Sequence, residues 1–133
     1  MELGYSKQKQ LGKKKHGSKY WIPRLWKVFS AYIRQKDDRC YTCGSTGTPQ
    51  AGHYIDKSVT RLSLYFDERN VKRQCSACNM YRSGNKTVYA TNLEREYGFG
   101  ILQELEAEKS KVSKWTDEDF QKKYDYYKSK LLP

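Results

Sequence analysis

Four cysteines, arranged as two C-x-x-C pairs, are the feature that most restricts how this 133-residue chain can fold. The first pair is Cys40 and Cys43, the second is Cys75 and Cys78, and no other cysteine occurs. Two residues between the thiols let one tight turn present both sulfurs to a single cation, and two such turns supply the four thiolates that structural zinc prefers. We therefore predict one structural zinc bound by all four cysteines. A site closed in this way leaves no position open for a substrate, so this zinc is not expected to be catalytic.

Two alternatives for the cysteines are weaker. Disulfides would need an oxidising compartment, and the N-terminus has no apolar stretch like that of a secretion signal. A thioredoxin-like redox site needs one C-x-x-C pair and not two. Zinc also explains how so polar a chain folds, because 37% hydrophobic and 31% charged residues predict a thin apolar core.

The chain is strongly basic, with 26 Lys and Arg against 15 Asp and Glu and a net charge of +11. Most of the excess lies in residues 1–36. A surface this basic attracts polyanions, of which nucleic acid is the commonest and membrane lipid the weaker alternative. Residues 1–20 predict a flexible basic arm, in which Lys13, Lys14 and Lys15 are candidate phosphate contacts, and a solubilising tail is the alternative.

The rest of the sequence predicts an α+β fold with flanking helices. We expect a helix over about 23–37, a hairpin of two short strands within 50–66, a helix after Asn85, a helix over 100–112, and a last helix that begins at a capping box of Thr116 and Asp119. No apolar run approaches the roughly 18–20 residues that span a bilayer. With no secretion signal either, the protein is expected to be soluble and cytoplasmic.

Two histidines occur, and only one of them lies between the cysteine pairs. His16 is interpreted as one more polar residue of the arm, whereas His53 lies on the proposed hairpin. A lone histidine is more often a structural hydrogen-bonding residue than a general base. Two asparagines change that weighting, since Asn70 shortly precedes the second cysteine pair and Asn79 directly follows it.

The segments AGHY, FDERNVKRQCSACN and SGN, followed by a Tyr-containing helix, resemble the phage lambda NinG (Rap) recombination family. The order C-x-x-C, His, Asn, C-x-x-C-Asn is also similar to the His-Asn-Asn branch of the H-N-H nucleases, which includes the Holliday-junction resolvase endonuclease VII. The resemblance covers residues 25–106, most strongly 40–92. It implies a zinc-stapled ββα-metal fold, in which a strand presents the histidine and a helix brings the last asparagine to a divalent cation.

The resemblance implies a role for each of three residues. His53 would be the general base that activates water, Asn79 a ligand of a catalytic Mg²⁺ or Mn²⁺, and Asn70 a residue that bonds across the loop to hold His53. Imidazole can act as a base near neutral pH, and a hard cation with oxygen ligands suits phosphodiester hydrolysis.

One position departs from the H-N-H pattern. Many H-N-H sites place a metal-binding Asp directly before the histidine, and this chain has Gly52 there. Asp67 and Glu68 are the candidates for the missing carboxylate, with Asp56 behind them. A solvated turn at the end of a strand is the alternative for each.

Basic residues flank the proposed site on both sides and would hold phosphates without reading base sequence. They are Arg61, Arg69, Lys72, Arg73, Arg82 and Lys86. Three tyrosines in the same region, Tyr54, Tyr81 and Tyr89, are expected to be packing residues rather than base-stacking ones.

Together these features predict a metal-dependent endonuclease that cleaves branched DNA such as Holliday junctions, acting in the host cytoplasm if the gene belongs to a phage. A noncatalytic zinc-dependent DNA-binding module is one alternative, and an H-N-H nuclease that nicks ordinary duplex DNA is another. We divide the chain into the arm (1–20), a zinc-bound nuclease core (21–98) and C-terminal helices (99–133). Because a junction needs two cuts, those helices are expected to form a homodimer through apolar faces; the alternative is that they fold back on their own core.

Overall fold

The computed structural model describes residues 15–59, 62–111 and 114–133, and its fold is mixed α+β as predicted. Lys13, Lys14 and Arg61 lie outside the described residues. The elements are α1 (Gly17–Lys36), β1 (Pro49–His53), a short α2 (Leu62–Tyr65), β2 (Val71–Cys75), a π-helical turn (Ala77–Tyr81), α3 (Lys86–Tyr97), α4 (Ile101–Lys109) and α5 (Asp117–Lys130). No helix in these ranges is long and apolar enough to span a membrane.

The two strands form one antiparallel ribbon, in which Pro49 pairs with Cys75 and His53 with Val71. The hairpin predicted within residues 50–66 is therefore wrong in its second strand. The segment expected to be that strand forms α2 instead, and the chain pairs only after Asn70. Val71 is the only β-branched residue of β2, so local propensity gave little signal there, and pairing with β1 together with burial decides the strand.

The first helix begins at Gly17, six residues before the predicted start. Its first turn is held by Asp117 at the start of α5, whose carboxylate accepts from the backbone N–H groups of His16 at 2.8 Å and Gly17 at 2.9 Å. The indole N–H of Trp21 also donates to Asp117, at 3.1 Å. Residues 17–20, predicted as part of the flexible arm, therefore belong to a packed helix.

Two apolar clusters hold the fold. The first joins α1 to α5 and contains Trp21, Leu25, Val28, Phe29, Ile33, Phe66, Val71, Phe120 and Tyr127. The second lies between the loop after β1 and helices α2, α3 and α4, and contains Ile55, Leu64, Tyr89, Leu93, Ile101 and Leu105. The cysteine turns lie at one end of the two-stranded sheet, and the apolar clusters lie at the other. The strands therefore connect the cysteines to the core.

The C-terminal helices fold back on the chain's own core. Of the seven residues from which an apolar dimer face was predicted, Ile101, Leu105, Phe120 and Tyr127 are buried within the two clusters, and Leu102, Tyr124 and Leu131 are half-buried against them. Phe99 and Leu132 are exposed in the same segment, and the homodimer stays a prediction. The capping box at the start of α5 is confirmed, with the backbone N–H of Asp119 donating to the Thr116 hydroxyl at 3.1 Å and that of Thr116 donating to the Asp119 carboxylate at 2.8 Å.

Candidate functional site

The four cysteines come together as predicted. Their sulfurs all lie within 4.8 Å of one another, and those of Cys43 and Cys75 are 3.7 Å apart. All four are free thiols. Tetrahedral zinc with Zn–S bonds of about 2.3 Å requires sulfurs roughly 3.8 Å apart, so the cluster is suited to one structural zinc ion.

Hydrogen bonds favour a thiolate at Cys40. At Cys43 the backbone hydrogen bond at Ser45 lowers the pKa, but burial and the neighbouring thiols outweigh it and raise the pKa to about 11. Burial raises the pKa of the Cys40 thiol, but hydrogen bonds from the Thr42 hydroxyl and from backbone N–H groups outweigh burial and lower that pKa to about 6. In the second turn, Arg82 and Asn85 each place a nitrogen 3.6 Å from the sulfur of Cys78. A cationic guanidinium beside a thiolate cluster reduces its net negative charge.

A cleft of about 420 Å³ lies beside β1 and brings His53 and Asn79 to one place. Its lining residues are Ala51, His53, Asp56, Lys57, Ser58, Asn79, Ser83, Gly84 and Lys86. The two residues that the sequence singled out as base and metal ligand thus share one cavity. β1 supplies His53, and the π-helical turn that begins within the second cysteine pair supplies Asn79.

His53 is held by a backbone carbonyl and two aromatic rings. Its Nε2 lies 3.0 Å from the carbonyl oxygen of Tyr65. Because a carbonyl oxygen can only accept a hydrogen bond, Nε2 carries the ring proton, and Nδ1 is the nitrogen that can accept a further proton. The ring stacks on Trp26 and meets the Tyr65 ring edge-on. The pKa of His53 is lowered to about 4, chiefly by burial; the hydrogen bond to Tyr65 opposes this shift, and the charges of Lys57 and Lys86 add to it. The imidazole is therefore neutral at pH 7.

Asn70 is fully buried and ties the loop after β1 together. Its side-chain oxygen accepts from the backbone N–H of Ile55 at 2.8 Å, and its amide nitrogen donates to the carbonyls of Ile55 and Leu64, each at 3.1 Å. These bonds cross the loop and fix the backbone at Ile55 and Leu64. Asn70 therefore orders the segment after His53 and does not hold its imidazole ring directly.

Gly52 lies where two amide side chains meet. A Cβ at this position would stand 1.9 Å from Oε1 of Gln74 and 2.7 Å from Oδ1 of Asn79, so residue 52 must be glycine unless both amides move. The Gly52 carbonyl accepts from the hydroxyl of the fully buried Tyr89 at 2.7 Å. An aspartate before His53 would therefore clash with both amides, and the buried Gln74, which no sequence motif singled out, lies next to the cleft residue Asn79.

Of the three candidate carboxylates, Asp67 and Glu68 do not line the cleft, whereas Asp56 does. Asp67 forms an ion pair with Arg69 at 2.7 Å. Glu68 pairs with Lys36 at 2.9 Å and accepts from the Tyr127 hydroxyl at 2.8 Å. The carboxylate that lines the cleft in the described residues is Asp56, and it forms an ion pair with Lys86 at 2.9 Å.

The predicted phosphate-binding residues divide into two groups. Lys72 is buried and pairs with Glu96 at 3.3 Å, so its assignment as a phosphate contact is wrong. Arg73 donates to the carbonyls of Arg34 and Asp37, each at 2.9 Å, and so links β2 to the end of α1. Like Arg69, these two side chains are occupied by contacts within the fold.

The second group lies at or near the cleft. Lys86 is half-buried in its wall and donates to the carbonyls of His53, at 2.8 Å, and Tyr54. Arg82 is exposed next to the second cysteine turn, and Lys57, which the sequence analysis passed over, also lines the cleft. Lys15 is exposed before the start of α1.

Two of the three tyrosines are packing residues as predicted. Tyr54 is half-buried and packs against Tyr89, which is fully buried. Tyr81 differs, because 81% of its surface is exposed on the π-helical turn, two residues after Asn79. The expectation that Tyr81 is a packing residue is therefore wrong.

Comparison with known proteins gives matches to one family. The model of the family described as Bacteriophage Lambda NinG protein matches residues 3–132. The chain is 34% identical to Protein ninG of Salmonella phage P22 over 116 residues, which cover 84% of this chain and 56% of that protein. It is 33% identical to Protein ninG of Escherichia phage lambda over 116 residues, with the same coverage of 84% and 56%. The chain thus spans about half the length of the curated relatives it matches. No solved structure matches it.

Proposed function

This chain belongs to the bacteriophage lambda NinG family, and from that premise we propose that it is a metal-dependent endonuclease that cleaves branched DNA, such as the Holliday junctions of recombination. The observation that carries the proposal is the meeting of His53 and Asn79 in one cleft, with Lys57 and Lys86 among its lining residues. The succession of β1, β2 and α3, with the histidine on the first strand, supports assignment to the H-N-H nucleases.

In this proposal His53 removes a proton from the water that attacks the phosphodiester. Its Nδ1 is the accepting nitrogen, because Nε2 donates to the Tyr65 carbonyl. As the ring gains charge, that hydrogen bond becomes charge-assisted and the stacked Trp26 ring also stabilises the cation. A phosphate entering the cleft brings negative charge, which raises the pKa of His53 from its low value toward the pH at which the base must work.

The lysines of the cleft supply positive charge for phosphate binding. The three N–H groups of Lys86 are donated to the carbonyls of His53 and Tyr54 and to Asp56, so its ammonium group is already in place when DNA arrives. A phosphate that displaces the exposed Asp56 carboxylate would accept the third N–H without the ordering cost of a flexible side chain. Arg82 lies on the same segment and extends the positive surface toward the cysteine turns.

The side chains around Gly52 fit a divalent cation. Two amide oxygens, from Gln74 and Asn79, converge there, and that of Gln74 is buried without a hydrogen-bond partner among the described residues. Oxygen ligands of this type suit Mg²⁺ and Mn²⁺. Such a cation, when bound, supplies positive charge that neutralises the phosphate and the leaving oxygen.

The proposals that the substrate is branched DNA and that the protein is a homodimer both rest on the family resemblance. Resolving a four-way junction takes two cuts on opposing strands, and a pair of sites related by twofold symmetry can make both. A homodimer therefore remains part of the proposal, although most apolar side chains of the C-terminal helices pack on the chain's own core. Light scattering with and without junction DNA tests it, and a monomer mass in both samples would contradict it.

Cleavage of defined DNA substrates tests the activity. The zinc-loaded chain is incubated with a four-way junction, a linear duplex of the same sequence and its single strands, each with Mg²⁺, Mn²⁺ or a chelator. We expect metal-dependent cuts in the junction, no cuts by His53→Ala, and normal cleavage by His16→Ala, whose ring stacks on Tyr20 away from the cleft. Equal cutting of junction and linear duplex would favour a nicking nuclease.

A second candidate function is a noncatalytic DNA-binding module. The ion pair between Asp56 and Lys86 favours this candidate. Asp56 is the carboxylate that lines the cleft in the described residues, and because it is paired with Lys86 it is not available to bind a catalytic metal. Tight binding of the junction without cuts under any metal would support this candidate against the nuclease.

A further inference from the structure

We propose that the amide oxygen of Gln74 replaces the carboxylate that Gly52 cannot supply, so that Gln74 and Asn79 together bind the divalent cation of the cleft. This inference rests on the proposed function, because it names the residues that serve the same site. Neither the cysteine pattern nor the resemblance points to Gln74. Three features of the fold do so. They are the buried oxygen of Gln74 without a partner, the close approach of two amide oxygens that the absent side chain of Gly52 permits, and the position of both amides beside the second cysteine turn.

The first observation is the state of the Gln74 side chain. It is fully buried, and its Nε2 donates to the Gly84 carbonyl at 2.8 Å and to the Thr42 hydroxyl at 3.1 Å. Because a carbonyl can only accept, the bond to Gly84 fixes which end of the amide is nitrogen. Oε1 therefore points the other way, where no described residue donates to it. A buried amide oxygen without a partner costs stability unless a ligand or a water satisfies it.

The second observation is that two amide oxygens lie side by side against the backbone of Gly52. Oε1 of Gln74 and Oδ1 of Asn79 lie 1.9 and 2.7 Å from the place where a Cβ of residue 52 would be. The amide nitrogen of Asn79 is engaged elsewhere, donating to Oε1 of Gln50 at 2.7 Å, so Asn79 also presents its oxygen to this point. Two amide oxygens this near to each other repel unless a cation or a hydrogen-bond donor lies beside them.

The third observation concerns what holds the two amides in place. Gln74 directly precedes Cys75, and Asn79 directly follows Cys78, so the second cysteine turn carries both. Thr42 strengthens the link, because its hydroxyl contacts both the Gln74 amide and the sulfur of Cys40. A zinc ion in the cysteine cluster would thus make the two oxygens rigid, which is what a second cation site requires.

The chemistry of the pair predicts its metal preference and its strength. Amide oxygens are hard ligands that suit Mg²⁺ and Mn²⁺ rather than a second zinc. The two are uncharged, so the site binds a cation weakly by itself and leaves most of the coordination sphere to water and to phosphate oxygens. The affinity for metal alone should therefore respond strongly to a charge added at Gln74.

Binding of Mn²⁺ alone, without DNA, tests the assignment. The zinc-loaded full chain is titrated with Mn²⁺, and the free ion is measured by electron paramagnetic resonance. Gln74→Met keeps the length of the side chain and removes its oxygen, and it should weaken Mn²⁺ binding at least about tenfold, as loss of one ligand from a small set does. Gln74→Glu adds charge at the same point and should tighten binding by about tenfold or more. Gln103→Met on the exposed surface of α4 is the matched control and should change nothing.

Zinc content and thermal melting show whether each variant is folded. Unchanged Mn²⁺ affinity in folded Gln74→Met would overturn the assignment and leave the buried oxygen to a water molecule. If Gln74→Met does not fold, Gln74→Glu decides, and equal or weaker Mn²⁺ binding by that variant would overturn the assignment.

The same measurements separate this inference from the proposed function. Mn²⁺ binding that depends on Gln74 in a chain that cuts no DNA would keep the metal site and end the nuclease proposal. Metal-dependent cleavage with Mn²⁺ binding unaffected by either Gln74 variant would keep the nuclease and end the assignment of Gln74.

Discussion

The indole of Trp26 stacks on the imidazole of His53, with ring centroids 5.3 Å apart and planes 20° apart. This contact joins the middle of α1 to the end of β1, so the first helix forms a wall of the candidate site as well as part of the core. Trp26 is half-buried and also contacts Phe29 and Phe66 of the first apolar cluster. The helix therefore shields the candidate base from water, and burial is the main cause of its low pKa.

Replacing Trp26 by Leu should raise the pKa of His53 from about 4 toward its ordinary value of 6.5, because water then reaches the ring. The titration is followed by the NMR signals of the His53 ring. Trp26→Phe keeps an aromatic face against the imidazole and should leave the pKa close to that of the unchanged protein. An unchanged pKa in folded Trp26→Leu would mean that other contacts bury the histidine.

The low pKa of His53 also predicts how stability depends on pH. The folded state releases the proton at about pH 4, whereas the unfolded chain binds it already near pH 6.5, so protons favour unfolding between these values. The free energy of unfolding should fall as pH decreases from 6.5 to 4, by up to about 3 kcal/mol from this residue. Urea melts across this range measure it. His53→Gln serves as the reference, and the same pH dependence in that variant would assign the effect to other groups.

The close grouping of the cysteines was predictable because each pair forms one turn, whereas the meeting of His53 with Asn79 was expected from the family resemblance. Each cysteine pair is one turn, and Asn79 is adjacent to Cys78, so the second turn carries the asparagine with it. The capping box at Thr116 was predictable for the same reason, since its two partners are three residues apart.

The features that the sequence did not reveal depend on contacts between distant segments. The start of α1 is set by Asp117, 100 residues beyond Gly17. The burial of Lys72 depends on Glu96 and Tyr97 of α3, and the convergence of Gln74 on Gly52 depends on the register of β1 and β2. No periodicity in one segment encodes such a contact, so spacing rules gave no signal for Gln74 or for the stacking of Trp26 on His53.

Replacing Cys75 by Ser should abolish zinc binding and unfold the chain around the sheet. Structural zinc contributes on the order of 10 kcal/mol in small zinc domains, and a typical domain has a margin of only about 5–15 kcal/mol. Elemental analysis and circular dichroism measure zinc content and folding. Ser76→Ala, which changes the next residue and leaves the four thiols intact, should keep one zinc per chain. Zinc-free protein that is folded and active would contradict the assignment.

Deleting residues 1–14 should weaken DNA binding in a salt-dependent manner and leave the fold unchanged. The deletion removes four lysines but keeps His16 and Gly17, which bind Asp117 at the start of α1. For every lysine that binds a phosphate, its removal should reduce the slope of log K against log salt by about 0.9 on duplex DNA. The slope is measured by fluorescence anisotropy between low and moderate salt. A chain with these four lysines changed to glutamine is the control for length, and an unchanged slope in both would show that the segment does not contact DNA.

Restoring the aspartate that many H-N-H sites have before the histidine should damage this protein. In Gly52→Asp the new Cβ would lie 1.9 Å from Oε1 of Gln74, inside van der Waals contact, so the buried amide must move or the strands must separate. We expect a loss of about 1–3 kcal/mol of stability, as for other overpacked sites, together with loss of cleavage.

The same substitution should be better tolerated when Gln74 is made smaller. In a Gln74→Ala background the clash with Oε1 is removed, so Gly52→Asp should cost less stability there than in the unchanged chain, with a coupling of roughly 0.5–3 kcal/mol. Chemical denaturation of the two single variants and the double variant measures this coupling. Additive effects would show that Gln74 does not occupy the space of the missing side chain. A positive coupling, with Mn²⁺ affinity recovered in the double variant, would mean that an aspartate at position 52 and a glutamine at position 74 are alternative ways of placing one oxygen at the same point.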